Sequence, residues 1–340
     1  MIAPETMAAG VLFAGLALYA LFGGADFGGG IWTALARGPR AVMQRKALFH
    51  AIGPVWETNH VWLIFMIVTL FTAFPAGFAA ISIALMTPLV VALIGINFRG
   101  AAFAFRHFGG DTEGRVPLGA RTFEIASAIT PFTMGMAVTA LAAGRIAIVD
   151  GRVEAGLGSW INPFTVVGGV IGLGICAYLT PIYMTVRVTG DLQEDFRLRG
   201  IAAGLVLGFL TAVQIPVAIW QASPFAGRLL DSWPLALVAC AAAGGVTTQI
   251  LLWRRLFLPA QIVSAGTVSL TLAGFAAALF PDILIGQMSL SAAAAPRPAL
   301  IAFLTVLPFG ALILVPSLLY LYWTFRGEPD TELPPADAER

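Results

Sequence analysis

The sequence predicts an all-α polytopic membrane protein with nine transmembrane helices, and three observations carry that prediction. Of 340 residues, 59% are hydrophobic and only 11% charged, whereas soluble domains carry about a quarter charged residues; mean hydropathy is +0.88. The charges are confined to short stretches between eight charge-free gaps, each long enough to cross a bilayer. The cations in those stretches fall mainly on one set of alternating loops. The net charge of +1 offers none of the concentrated basic surface that nucleic-acid binding requires.

About 20 apolar residues at 1.5 Å rise per residue span the hydrocarbon core. The gaps run from Glu5 to Asp26, Glu57 to Arg99, Glu124 to Arg145, Glu154 to Arg187, Arg199 to Arg228, Asp231 to Arg254, Arg255 to Asp282 and Arg297 to Arg326. The first begins in "MIAPETMAAGVLFAGLALYALF", which has an acid and no Lys or Arg before its apolar run. It reads as a first membrane helix rather than a cleavable signal peptide. The second gap is twice as long as the others require, and "FTAFPAGF" at its middle supplies Pro75 and Gly77 for a tight turn. It is expected to be a helical hairpin, which raises the count to nine.

The helices are expected near 7–36, 49–74, 77–105, 122–144, 161–187, 199–221, 234–253, 259–280 and 299–325, within one membrane domain covering 1–340. With the amino end outside, inner segments would hold Arg37, Arg40, Arg45, Lys46, Arg99, Arg106, Arg115, Arg121, Arg187, Arg197, Arg199, Arg254, Arg255, Arg326 and Arg340. Outer segments would hold Arg145, Arg152, Arg228 and Arg297. The positive-inside rule therefore places the amino terminus in the periplasm and the carboxyl terminus in the cytoplasm. Residues 327–340, acidic and proline-bearing, read as a polar cytoplasmic tail.

No strand pattern or soluble domain is evident. Stretches such as "GGADFGGG" and "VVGGVIGLG" suit close helix packing in lipid; a phosphate-binding glycine loop needs a preceding strand, and "GGADFGGG" falls within a span. Cys176 and Cys240 lie in apolar runs and read as small buried hydrophobes.

Three acids fall inside expected spans: Asp26, Glu57 and Glu124. Glu124 is one turn from Arg121, and a structural pair explains it. Asp26 precedes Arg37 by the same 11 residues by which Glu57 follows Lys46, so both carboxyls lie about 16 Å from the inner helix ends on neighbouring antiparallel helices. A charge in hydrocarbon must be neutralised, paired or hydrated. His60, three residues after Glu57, shares its helix face and carries an imidazole, the side-chain type suited to accepting and releasing protons. Asp26, Glu57 and His60 therefore make a candidate proton path, with Trp56, Asn59 and Trp62 as supporting residues; a polar cluster that only fixes packing is the alternative. An intramembrane His is also a potential haem ligand, but His50 and His107 lie far from the depth of His60. Trp160, Trp220, Trp233 and Trp323 near helix ends read as interfacial anchors.

"YALFGGADFGGGIW" in the first helix and "AIGPVWETNHVWLIF" in the second resemble subunit II of the cytochrome bd family of quinol oxidases. The exit of the fifth helix, "AYLTPIYMTVRVTGDLQ", is similar to a later family segment, and "WETNHVWL", with His60 where many relatives carry Glu, resembles the cyanide-insensitive branch. The resemblance implies two four-helix bundles, here 7–144 and 161–280, and a peripheral ninth helix at 299–325. It implies a bacterial inner-membrane subunit without haem of its own, paired with a subunit I that carries haems b and d. The complex would oxidise quinol, reduce dioxygen to water and take protons from the cytoplasm, with Asp26 and Glu57 matching family pathway carboxylates. Lipid, a structural quinone and a small single-helix subunit are further expected partners. Paired intramembrane acids also suit a cation-coupled secondary transporter, and a structural anchor is a third reading.

Overall fold

The computed structural model describes residues 2–52, 56–108 and 118–324, with side chains for all of these except 52, 56–58, 105–108, 118, 322 and 323. The tail at 327–340 and the side chains of Trp56, Glu57 and Trp323 therefore lie outside the described residues. The fold is helical throughout, with two small hairpins on its connecting loops.

Helix α1 spans Pro4–Leu35, opening on proline, whose fixed φ and missing N–H suit a first helical turn. A short α2, Ala41–Ile52, follows a turn at Gly38, whose φ of 85° favours glycine. Helix α3 covers Trp56–Ala73. At Phe74 the chain turns through 119° into α4, Pro75–Ala84, where Pro75 denies a continuing helix its backbone donor. The turn thus falls where the sequence places it, but the second limb breaks again at Leu85 before α5, Met86–Phe108.

Helix α6 spans Leu118–Ala140 and α7 spans Pro163–Arg187. Helix α7 starts on a capping box: Thr165 N–H donates to Asn162 Oδ1 at 3.1 Å while Asn162 N–H donates to Thr165 Oγ1 at 3.1 Å. Beyond it lie α8 (Gly190–Gln221), a short α9 (Ser223–Leu229), α10 (Ser232–Trp253), α11 (Phe257–Leu279), a single-turn α12 (Leu290–Ala293) and α13 (Arg297–Thr324).

Seven of these helices are long and apolar enough to cross a membrane, and an eighth span results if the bent α3–α4 pair is counted as one. Helix α6 is not among the seven; Glu124 and the hydroxyls of Thr122, Ser127, Thr130 and Thr133 lower its apolarity. The described residues thus establish an all-α polytopic architecture with fewer clear apolar spans than the nine expected.

Two hairpins correct the expectation of no strands. Strands β1 (Ala147–Val149) and β2 (Arg152–Glu154) pair antiparallel around Asp150 and Gly151, at φ 49° and 73°. An Asp-Gly pair with both φ positive is the preferred two-residue hairpin turn, a local signal overlooked beside the hydropathy. Strands β3 (Asp282–Leu284) and β4 (Met288–Ser289) form the second hairpin, joined to the first by Ile148 N–H donating to Gln287 Oε1 at 3.1 Å.

Helix α1 is central, packing against α3, α6, α7, α11 and α13. The α5–α6, α6–α7, α7–α8 and α10–α11 pairs build the rest, while α13 touches α1 and α3 and is otherwise exposed. A core of Ala8, Phe74, Ala140, Ile146 and Leu284 ties the hairpins to the end where α1 begins. Leu48, Met184, Leu192 and Phe196 form another at the end where α1 finishes. Cys176 is buried, but Cys240 is exposed on α10, correcting the reading of both as core hydrophobes: α10 turns that side away from the bundle.

Candidate functional site

Glycine makes the site possible by letting α1 approach its neighbours. A Cβ on Gly28 would lie 2.0 Å from Thr180 Oγ1 and 2.1 Å from the Cys176 carbonyl of α7, and one on Gly30 would lie 2.1 Å from Ser127 Oγ of α6. No side chain fits at such distances, so "GGADFGGG" is a packing surface, as its place within a span implies. Thr180 uses the close approach to donate its hydroxyl to the Ala25 carbonyl at 2.6 Å.

At this seam Asp26, 3% exposed, meets Arg99 of α5, 1% exposed. Arg99 Nη1 donates to Asp26 Oδ2 at 2.9 Å and Nη2 donates to Oδ1 at 2.7 Å. Nη2 also donates to the Asp26 carbonyl at 3.0 Å, and Nε to Ser127 Oγ at 3.0 Å. The guanidinium carbon lies 4.9 Å from the ring centres of both Phe27 and Phe123, within cation–π range. A fork geometry with every nitrogen engaged is the condition under which a buried ion pair offsets its desolvation.

Arg99 therefore corrects the topology expected for it. It is not an inner-loop cation; it lies within α5, nine residues before that helix ends at Phe108. A charge-free gap ends at the first charge, which here sits inside the membrane helix because Asp26 neutralises it. Removing Arg99 from the loops leaves their positive bias intact. Arg99, Phe123 and Ser127 are the site residues that sequence reasoning missed. The available signal was that an intramembrane acid requires a cation at matching depth, and Arg99 lies in the apolar run "LIGINFRGAAFAF".

His60 sits on α3 against the same part of α1. Its ring meets Phe27 edge-on at 6.1 Å and Tyr19 at 6.3 Å between centroids, and Tyr19 O–H points to Met134 Sδ at 3.8 Å. Asn59 is buried. Trp62 stacks on Phe22 at 6.5 Å and meets Phe65 edge-on at 6.2 Å. The structure thus brings Asp26 and His60 to adjacent positions around Phe27, but aims the Asp26 carboxylate at α5. Glu57 lies in the first turn of α3, one turn before His60. Among the described residues no group of three His, Cys, Asp or Glu is assembled to hold a metal ion.

This is a helical membrane protein organised around a sealed ion pair. A sequence profile described as cytochrome bd terminal oxidase subunit II matches residues 4–325, and the chain belongs to that family. It is 28% identical over 342 residues to "Cytochrome bd ubiquinol oxidase subunit 2" of Bacillus subtilis (strain 168), covering 93% of each chain. It is also 28% identical over 201 residues to "Cytochrome bd-I ubiquinol oxidase subunit 2" of Escherichia coli (strain K12), covering 58% of this chain and 52% of that one. Its fold matches "The structure of bd oxidase from Geobacillus thermodenitrificans" with a TM-score of 0.74 at 18% identity, over 96% of this chain and 99% of that one. The chain is accordingly a subunit of an oxidoreductase complex and a multi-pass inner-membrane protein.

Proposed function

We propose that this chain is the haem-free subunit II of a quinol oxidase, supporting quinol-driven reduction of dioxygen to water and carrying protons from the cytoplasm towards the haem-bearing subunit I. The observation that carries this reading, beyond family membership, is the Asp26–Arg99 pair buried in the first bundle with the His60 imidazole against the same stretch of α1. A proton crossing hydrocarbon needs sites that accept it and a field that lowers its cost. Glu57 and His60 are the exchanging groups. Asp26, held in the fork of Arg99, places a buried ion pair with a stationary dipole beside them on the same path.

The matching topology has nine spans, with the bent α3–α4 segment and the less apolar α6 completing the count. It comprises a first bundle at 7–144, a second at 161–280, a peripheral helix at 299–325 and a cytoplasmic tail at 327–340. The positive loops support a periplasmic amino terminus. Haems b and d belong to subunit I, where they supply electrons to oxygen; lipid, a structural quinone and a single-helix subunit complete the partners. The "WETNHVWL" motif supports a place in the cyanide-insensitive branch. Family membership leaves the transporter reading without support.

The test is Glu57→Gln in the assembled oxidase, with haem content checked by difference spectrum. We expect oxygen consumption with excess quinol to fall about a hundredfold or more, the usual scale for removing a proton-transfer group, at unchanged haem content. Unchanged turnover in Glu57→Gln and His60→Ala variants would refute proton carriage and leave a structural subunit.

A further inference from the structure

We infer that Asp195, on α8 of the second bundle, is a positioning residue for the inner mouth of the proton route, acting through α2. The inference rests on the proton-carrying role proposed above. Arg40, in the turn before α2, grips Asp195 with a fork: Nε donates to Oδ2 at 2.8 Å and Nη2 to Oδ1 at 2.6 Å. Gln44 of α2 is 3% exposed and has both ends of its amide engaged by α8. Its Nε2 donates to Asp195 Oδ2 at 2.8 Å, and its Oε1 accepts from Arg199 Nη2 at 2.5 Å. A buried amide satisfied at both ends fixes the rotation of its helix, because any turn of α2 would leave those groups unpaired.

Leu48, one turn along the same face, packs on Met184, Leu192 and Phe196. On the other side Arg45 donates to the Thr33 and Ala36 carbonyls at 3.3 and 3.1 Å, satisfying the last turn of α1. The chain is thus held from α1 to α8, with Arg199 stacked over Trp32 at 5.2 Å and Trp32 Nε1 donating to the Ala177 carbonyl at 2.8 Å. Helix α2 ends at Ile52, and α3 starts at Trp56 with Glu57, Asn59 and His60 in its first turns. The clamp on α2 thus lies only a few residues of chain before the helix that carries the exchanging groups. The charged and polar groups around Asp195 are Arg40 and Gln44 from the α1–α2 side and Asp191, Glu194 and Arg199 on α8.

The test compares Asp195→Asn, Asp195→Glu and Arg40→Ala in the purified oxidase, following oxygen consumption from pH 6 to 9. Asp195→Asn and Arg40→Ala should each lower turnover about threefold to tenfold at high pH and less at low pH, as expected when proton supply limits the rate. Haem spectra should be unchanged, Asp195→Glu should recover most of the rate, and the double variant should be no slower than the slower single one. Unaltered rates and pH profiles would overturn the inference, as would a pH-independent loss tracking loss of haem-bearing partner. Glu57→Gln run alongside separates the failures: if it slows turnover while Asp195→Asn is silent, only the positioning role falls; if both are silent, proton carriage itself fails.

Discussion

The protein makes the same ionic contact twice, in opposite surroundings. Asp26–Arg99 and Asp195–Arg40 are both forked Asp–Arg pairs, with shortest contacts of 2.7 and 2.6 Å. Side-chain exposure is 2% for each partner of the first, but 42% for Arg40 and 17% for Asp195 in the second. Geometry therefore does not distinguish them; solvent does. Inside the bundle, either partner left alone is a charge without water, whereas at the rim Arg40 left alone is hydrated. One contact should act as an indispensable lock and the other as an adjustable clamp.

The largest expected effect breaks the lock. Arg99→Met or Asp26→Ala leaves an uncompensated buried charge, a change worth about 3–5 kcal/mol, and the yield of assembled complex in membranes should collapse. Combining Asp26→Asn with Arg99→Met removes both charges, and more complex should be recovered than with either charge-stranding change. Equal loss in all three would show that the pair matters for something other than charge balance.

An intermediate effect tests the seam that holds the lock. Gly28→Ala forces a methyl into the Thr180 hydroxyl and the Cys176 carbonyl, and overpacking costs about 1–3 kcal/mol, read as a lower thermal midpoint of the purified complex. Gly208→Ala, where a Cβ meets nothing within 4 Å, should leave that midpoint unchanged or raise it.

The smallest effect concerns the stability of the clamp. Arg40→Ala should lower the thermal midpoint only slightly, as removing a solvent-screened ion pair does, and the difference from wild type should shrink at high salt as screening weakens the pair. Arg99→Met should show no such salt dependence, since salt does not reach it. A clamp variant as damaging to assembly as a lock variant would erase the distinction between them.

Much of this was legible in the chain because hydropathy and helix punctuation are local. Proline at 75 breaks the long apolar run where expected, the cap at Asn162 opens α7, and Gly28 and Gly30 of α1 lie on a packing surface. Asp26 and His60 were identified as intramembrane polar groups for the same reason: a lone acid in an apolar run is visible without a partner. Asp150-Gly151 carried an equally local signal for a hairpin. Arg99 was misplaced because a count of charges along the chain treats each charge as an end of a span.

By itself the sequence determined that the chain lives in a membrane, roughly where it crosses, and which polar residues require an explanation. Only the tertiary structure decided that Asp26 is answered by Arg99, 73 positions away, and that Asp195 reaches back 155 positions to Arg40. The physical reason is that burial is written into each segment's own composition, whereas the choice of a buried charge's partner depends on which helices the glycine seams bring together.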